Sequence, residues 1–389
     1  MKPWRRRLLR AIEGVETSVD RARLFLKVRH RLLAPVRVLP YRGHGTPSEV
    51  RVVGRVLEEK VISEPTIHDT RIQNLRAMAG RFLSAEVPGA RVRVSFGGDV
   101  RMVVADDEGF FGAALRPRAQ LEDGDGEWQD VTYELLWPKA KGQTKARATG
   151  QVMVPARGTG GASFGVISDI DDTILRSEVT KGLTMLRLLL FSNAHTRLPF
   201  EGVAAFYQAL RSGAGRENNP IFYVSTGPWN LYDLLEDFLE IQDIPAGPIF
   251  LRDWAGLKDV LRGMDHRSHK LAVIRDLMHA HADLSFVLVG DSGQQDAETY
   301  AQIAEEYPDR VLAIYIRDIR RKGRSGIVRD ISEQVRALGI PMLLVDDTVA
   351  AAEHAASVGL IDAASLPKIR QDREADAQAA LLPWETPGT

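Results

Sequence analysis

The chain changes rhythm twice. Between residues 36 and 155, short runs alternate apolar and polar positions: Glu49–Leu57, Ala90–Phe96, Val100–Ala105, Val131–Trp137 and Ala148–Val154. Successive strand residues face opposite sides, so each run predicts a strand with one buried face. Turn signals at Gly97-Gly98, Asp106–Gly109 and Asp123–Gly126 separate them, and Asp106–Phe111 reads as a turn feeding a further strand. Strands at this spacing predict a smaller all-β sandwich domain over 36–155, with room for one helix in 67–85. After the Gly-rich linker 156–163 the runs become wholly apolar: Phe164–Ser168, Ile221–Ser225, Ser285–Val289, Val311–Ile316 and Met342–Val345. Apolar strands alternating with helical periods predict an α/β domain over 164–365, a parallel sheet with helices on both faces. Ahead of both, residues 4–33 carry helical periodicity that Pro35 and Pro40 end, giving a helical segment over 1–35. Residues 366–389, charged and then rich in Ala and Pro, are expected to form a loose tail.

Composition narrows the function classes. With 44% apolar and 26% charged residues, the chain has the make-up of a globular protein with sizeable cores. A net charge of −1 gives no global case for nucleic acid as a partner. The absence of cysteine excludes disulfides, thiolate metal sites and cysteine nucleophiles. The start, MKPWRRRLLR, has no unbroken apolar region, and the apolar stretch near Leu186–Phe191 is far short of a membrane span. A cytoplasmic location is therefore expected. No protein partner can be inferred.

Charge is uneven. Residues 1–42 hold twelve lysines and arginines against Glu13, Glu16 and Asp20, so the remainder is net acidic. On a helical wheel Trp4, Leu8, Ala11, Ile12, Val15 and Val19 share an arc of about 100°. Arg6 and Arg10 lie outside it, Arg5 and Arg7 flank it, and Leu9 falls on the polar side. Such a basic amphipathic helix suits peripheral attachment to an anionic membrane surface, and equally suits packing on the β domain.

Three strand ends carry chemistry. Gly165–Ile174 (GVISDIDDTI) runs a buried strand into Asp169, with Asp171 two residues on. In extended backbone the two carboxylates project the same way and repel, so a cation or shared proton must offset them. One such group can attack phosphorus while the other handles the leaving-group proton. Phe222–Asn230 (FYVSTGPWN) ends a strand in Ser225 and Thr226 before a turn, where hydroxyls and helix N-terminal amides can hold phosphate oxygens. Phe286–Asp296 (FVLVGDSGQQD) runs another strand into Asp291, with Asp296 following. Hard oxygen donors there suit Mg²⁺, and each aspartate also suits a helix cap. Lys270 precedes the helical run Leu271–Ala280, where a fixed ammonium would neutralise a nucleophile–phosphate pair, and Lys258 competes for that place.

Taken in order, Asp169-x-Asp171-x-Thr173, Ser225, Lys270 and Gly290-Asp291-x-x-x-x-Asp296 resemble the haloacid dehalogenase (HAD) superfamily of phosphatases. The stretches DIDDTI, YVSTGPW, PIFL, VGDSGQQD and LAIYIR resemble, more narrowly, the actin-patch type of phosphatidate phosphatase, a lipin-related group. The resemblance covers roughly 160–345 and implies a HAD-like Rossmannoid sheet. It implies that Asp169 forms an aspartyl-phosphate, Asp171 is the general acid/base, Ser225 with Thr226 binds the phosphoryl group and Lys270 stabilises it. Mg²⁺ would be held by Asp169, the Asp171 carbonyl and Asp291, with Asp296 beside them. The expected reaction is hydrolysis of a phosphomonoester lipid, phosphatidate giving diacylglycerol and phosphate. The alternatives are a soluble phosphomonoester and a non-catalytic phosphatidate-binding module. Degenerate sensors lose the nucleophile, whereas Asp169, Asp171, Lys270 and Asp291 are all present here. The apolar run Gly182–Phe191 suits a flap for acyl chains and equally a core helix.

Overall fold

The computed structural model describes residues 33–58, 86–118, 127–140, 146–156, 161–171, 173–174, 200–215, 217–252, 266–319 and 323–379. Nearly all of the basic helical segment 1–35, the helix expected in 67–85, the apolar run 182–191 and Lys258 lie outside them. The described residues form two compact units that change over between Val154 and Pro155. Among them, no helix is long and apolar enough to cross a membrane.

The first unit is built from β1 (Val36–Pro40), β2 (Gly43–Thr46), β3 (Glu49–Glu58), β4 (Arg91–Phe96), β5 (Asp99–Val104), β6 (Phe110–Leu115), β7 (Trp128–Trp137) and β8 (Arg147–Met153). Period-two patterning sets its faces: Val92, Val94 and Phe96 of β4 point into the core, while Arg91 and Arg93 point out. The strands run β1-β3-β2-β8-β7-β4-β5, with β6 on β3. One hydrogen-bonded sheet therefore joins all eight, seven along one path and β6 as a branch, where the turn spacing suggested two separate sheets. The path bends over its own core, because β1 also lies against β7 and β8, and β5 against β6. Strands β1 and β2 escaped the sequence reading: Pro40 closes one, and β2 is only four residues with two glycines.

The second unit alternates strands and helices. Its described elements are β9 (Phe164–Asp169), α1 (Val203–Ser212), β10 (Ile221–Pro228), α2 (Tyr232–Ile241), β11 (Ile249–Arg252), α3 (His266–Ala280), β12 (Ser285–Asp291) and α4 (Asp296–Glu306). There follow β13 (Val311–Arg317), α5 (Arg324–Ala337), β14 (Met342–Val345), α6 (Thr348–Ser357) and α7 (Leu366–Ala379). All strand pairs are parallel, in the order β11-β10-β9-β12-β13-β14. The first strand of the series lies in the middle and the order reverses beside it, which in open α/β sheets places the site at the carboxyl end of that strand. Tyr223, Ser168, Val289 and Tyr315 form one row across the sheet, and Tyr207 of α1 stacks on Tyr223 at 6.5 Å between rings. Phe222, Ile167 and Leu288 form the row facing the other way, where His281, just beyond α3, lies 5.0 Å from the Phe222 ring. Both faces of the sheet are thus covered, as its apolar strands require.

The loose tail expected over 366–389 is corrected for residues 366–379, which form α7 and pack on α1 and α6. Ile369 is fully buried, and Asp376 and Asp372 accept hydrogen bonds from the Gly202 and Ala205 amides at 2.9 and 3.1 Å. These carboxylates meet the amides and positive dipole end of α1. Charge made the segment look loose, and here charge helps attach it.

Candidate active site

Strand β9 delivers Asp169 to the carboxyl edge of the sheet, where it is completely buried. Its neighbours arrive by register. Val224 of β10 pairs with Asp169, so Ser225 lies one step beyond it, and β12 on the other side ends in Asp291. Lys270 comes from the first turns of α3, and Asp296 opens α4. Every one of these side chains is buried.

Two subsites share this edge. In the first, the Lys270 ammonium lies between two carboxylates, 2.6 Å from Asp169 Oδ1 and 2.5 Å from Asp296 Oδ1. Thr173 donates to Asp169 Oδ2 at 3.3 Å. In the second, Ser225 donates to Asp171 Oδ2 at 2.7 Å and accepts from the Gly227 amide at 2.9 Å. The carboxylates of Asp169 and Asp171, near enough for one to act on the other, each have a partner, lysine for one and serine for the other. Among the described residues no hydrogen bond ties Thr226, though buried, to the rest of the site.

Asp291 is fixed by backbone. Its Oδ1 accepts from the Gly293 and Gln294 amides at 2.6 and 2.9 Å, while its own amide donates to Asp296 Oδ2 at 3.2 Å. The loop between them was not legible as a built structure. Arg324, at the start of α5, donates to the carbonyls of Ser292 and Gln294 at 3.0 and 2.6 Å and pairs with Glu298 of α4 at 2.7 Å. No motif announces an arginine so far along the chain. Gly290 allows the approach of α4: a Cβ there would stand 2.7 Å from Asp296 Oδ2 and 2.8 Å from the Tyr300 ring. Gly290→Ala is therefore expected to push Asp296 off Lys270 and lower turnover at least roughly tenfold, with secondary structure by circular dichroism unchanged. Unaltered turnover would show that this contact is not needed.

Three of the aspartates form a group that fits a metal ion. Asp169, Asp291 and Asp296 can bring one oxygen each within 4.8 Å of one another, all buried. Burial raises the Asp169 pKa well above the usual carboxylate range; Lys270 opposes this and the neighbouring aspartates add to it. Burial works against the Lys270 charge, yet the coulombic pull of Asp169 and Asp296 raises its pKa overall, so it stays an ammonium. One ammonium leaves part of this buried negative charge to a proton or to a further cation. The donors are all hard oxygens, which suits Mg²⁺. Asp171 is outside the carboxylate group. Its Oδ2 accepts from Ser225, and its backbone carbonyl, the atom to which the resemblance gave a metal role, is approached by Gln294 Nε2 at 3.4 Å.

A doubly wound sheet that gathers carboxylates, a lysine and a serine at its switch point has the layout of an α/β phosphoryl-transfer enzyme. Comparison with known proteins agrees. Residues 164–318 match the family model described as phosphatidate phosphatase APP1, catalytic domain. Phosphatidate phosphatase APP1 of Saccharomyces cerevisiae is 33% identical over 165 residues, 42% of this chain and 27% of that protein. An uncharacterised protein of Schizosaccharomyces pombe is 34% identical over 161 residues, 40% of this chain and 25% of its own. The chain thus spans about a quarter of the length of the curated relatives it matches. A carbohydrate acetylesterase from Xanthomonas citri aligns over 87% of this chain and 72% of its own at 11% identity, with a TM-score of 0.28, too loose a likeness to bear on the fold. The resemblance to the actin-patch phosphatidate phosphatases read from the motifs is borne out for the catalytic segment 164–318.

Proposed function

We propose that this protein is a Mg²⁺-dependent phosphatase of the HAD type that hydrolyses phosphatidate to diacylglycerol and phosphate through an aspartyl-phosphate. The observation that carries the reading is Asp169. It ends the central strand, it is held 2.6 Å from Lys270, and it lies in the segment matching a phosphatidate phosphatase catalytic domain. An Asp169 oxygen attacks phosphorus, and the bond from phosphorus to the glycerol oxygen breaks. Asp171 gives that oxygen a proton, so diacylglycerol leaves neutral. Asp171 then takes a proton from water, whose oxygen attacks phosphorus, releasing phosphate and restoring Asp169. Ser225 donates to a phosphoryl oxygen, and Lys270 turns from Asp169 toward the charge that builds up on the phosphoryl group. Asp169, Asp291 and Asp296 would hold Mg²⁺, which supplies positive charge against the phosphoryl oxygens.

The test is phosphate release by the purified full chain from phosphatidate and from soluble phosphomonoesters, with Mg²⁺ and with excess chelator. Release from phosphatidate, falling by a factor of roughly 10² or more on chelation, is expected. A full rate in chelator would remove the metal from the reading. Release from soluble esters alone would remove the lipid.

A further inference from the structure

The outer face of the β5 end of the first unit is apolar and open. Val100, Met102 and Val104 alternate along edge strand β5, all on the side away from the core, and are 51%, 60% and 65% exposed. Register places Ser95, Arg93 and Arg91 of β4 beside them on the same face, and Thr132, Glu134 and Trp137 of β7 beyond those. Arg147 of β8 lies opposite Glu134 in the next position. Glu134 is shared between Arg93 at 2.6 Å and Arg147 at 3.6 Å. Trp137, 37% exposed, pairs with Arg91, whose other strand partner is Val104. Three aliphatic side chains and a tryptophan therefore share one outward face with three arginines and Glu134, and Asp130 lies before Thr132 on the same side of β7.

Exposed apolar rows of this kind mark surfaces that something covers. The nature of the cover follows from which part is open. A strand added to the free edge of β5 would extend the sheet and leave the outward face of Val100, Met102 and Val104 exposed. A second copy meeting this face would set two arginine-bearing surfaces against each other. An anionic lipid surface meets both requirements: acyl chains take the aliphatic residues, the interface takes the Trp137 ring, and headgroups take the arginines.

We propose that the outer face of β4, β5 and β7 docks the protein on anionic bilayers through Val100, Met102, Val104 and Trp137, with Arg91, Arg93 and Arg147 held against the headgroups. The docking surface lies on the unit that contains none of the catalytic residues. It deepens the phosphatidate reading, since an enzyme for a membrane lipid needs such a surface, and its vesicle-binding test contains no phosphatidate.

The full chain is sedimented with phosphatidylcholine vesicles containing or lacking phosphatidylserine, and compared with the triple variant Val100→Thr, Met102→Thr, Val104→Thr, which keeps strand-forming side chains. A second variant, Arg91→Gln with Arg147→Gln, tests the charges. Expected are binding that needs phosphatidylserine and weakens with salt, a loss of roughly tenfold or more in the triple variant, and a smaller loss in the arginine variant. Release of phosphate from a short-chain, vesicle-free phosphomonoester lipid serves as the folding control and is expected to be unchanged in both variants. Absence of wild-type binding, or equal binding by the triple variant, overturns the proposal. A wild-type dimer that the triple variant turns into a monomer overturns it in favour of self-association. If no phosphomonoester is hydrolysed by the wild type, the catalytic reading fails while vesicle binding still decides the surface, with circular dichroism as the folding control.

Discussion

Asp169→Asn is expected to abolish phosphate release, by a factor of roughly 10⁴ or more, while the protein remains folded. Asparagine has nearly the shape of aspartate, so the bond from Thr173 and the packing at the end of β9 survive. It is not a nucleophile, and no neighbour replaces it: Asp171 is turned to Ser225, and Asp296 is bound to Lys270. Stability is expected to hold or to rise, because burial already disfavours the charged form of this side chain. Turnover and thermal melting of the same preparation check both halves. A folded Asp169→Asn protein that keeps a tenth of the wild-type rate would place the nucleophile elsewhere.

The second large effect belongs to Lys270. Lys270→Met keeps the stem and removes the ammonium that lies between Asp169 and Asp296. Breaking a buried charge pair from one side typically costs about 3–5 kcal/mol, since the remaining charge is left without compensation. Here two carboxylates are left, so turnover and stability should fall together. The pH dependence has a definite sign. Lys270 is the influence that opposes the upward shift of Asp169, so its loss lets the folded-state pKa rise further above the unfolded value. A carboxylate raised in this way contributes stability that is fully present below the unfolded pKa and is lost as pH rises through the folded pKa. The melting temperature of Lys270→Met should therefore drop from acidic to neutral pH more steeply than that of the wild type, and Mg²⁺ should recover part of the loss. Parallel melting profiles across that range would show that Lys270 does not neutralise these carboxylates.

The sheet of the second unit was legible because its strands are apolar over their whole length, as strands buried on both faces must be. Phe164–Ser168 and Met342–Val345 were bounded to within a residue or two. β11 was not read as a strand, although its PIFL run was noted, because a four-residue strand has too few positions to show a period. At the site, Asp169 and Asp291 stood out because each ends an apolar strand, and Asp296 because it opens a helix; Ser225 was read as the end of its strand, whereas β10 runs on through it to Pro228. The pairing of the site residues was not legible. That Lys270 bonds Asp169 and Asp296 depends on helix placement, and that Ser225 bonds Asp171 on the register of β10 against β9, neither of which a local pattern encodes. Arg324 shows the same gap: its grip on the Ser292 and Gln294 carbonyls links residues about thirty positions apart without a motif. The run Val100–Ala105 was read as an alternating strand with one buried face, and which side is buried was left unassigned. The structure turns Val100, Met102 and Val104 outward and points Val103, between them, toward the core.

The two aspartates of α7 that receive the amides of α1 have a consequence for how the chain is made. Gly202 and Asp376 are 174 positions apart, and Ala205 and Asp372 are 167. A chain growing from its amino end completes α1 long before these acceptors exist. Until they emerge, the start of α1 must bond to water instead. Strand β9 waits in the same way for β12, since Val287 pairs with Val166 across 121 positions. Contacts this distant in sequence are costly to close and slow to form. On the ribosome, the second unit is therefore expected to assemble late and cooperatively, while in the unit ahead of it the close pairs β2–β3, β4–β5 and β7–β8 can form as they appear and β2 waits for β8.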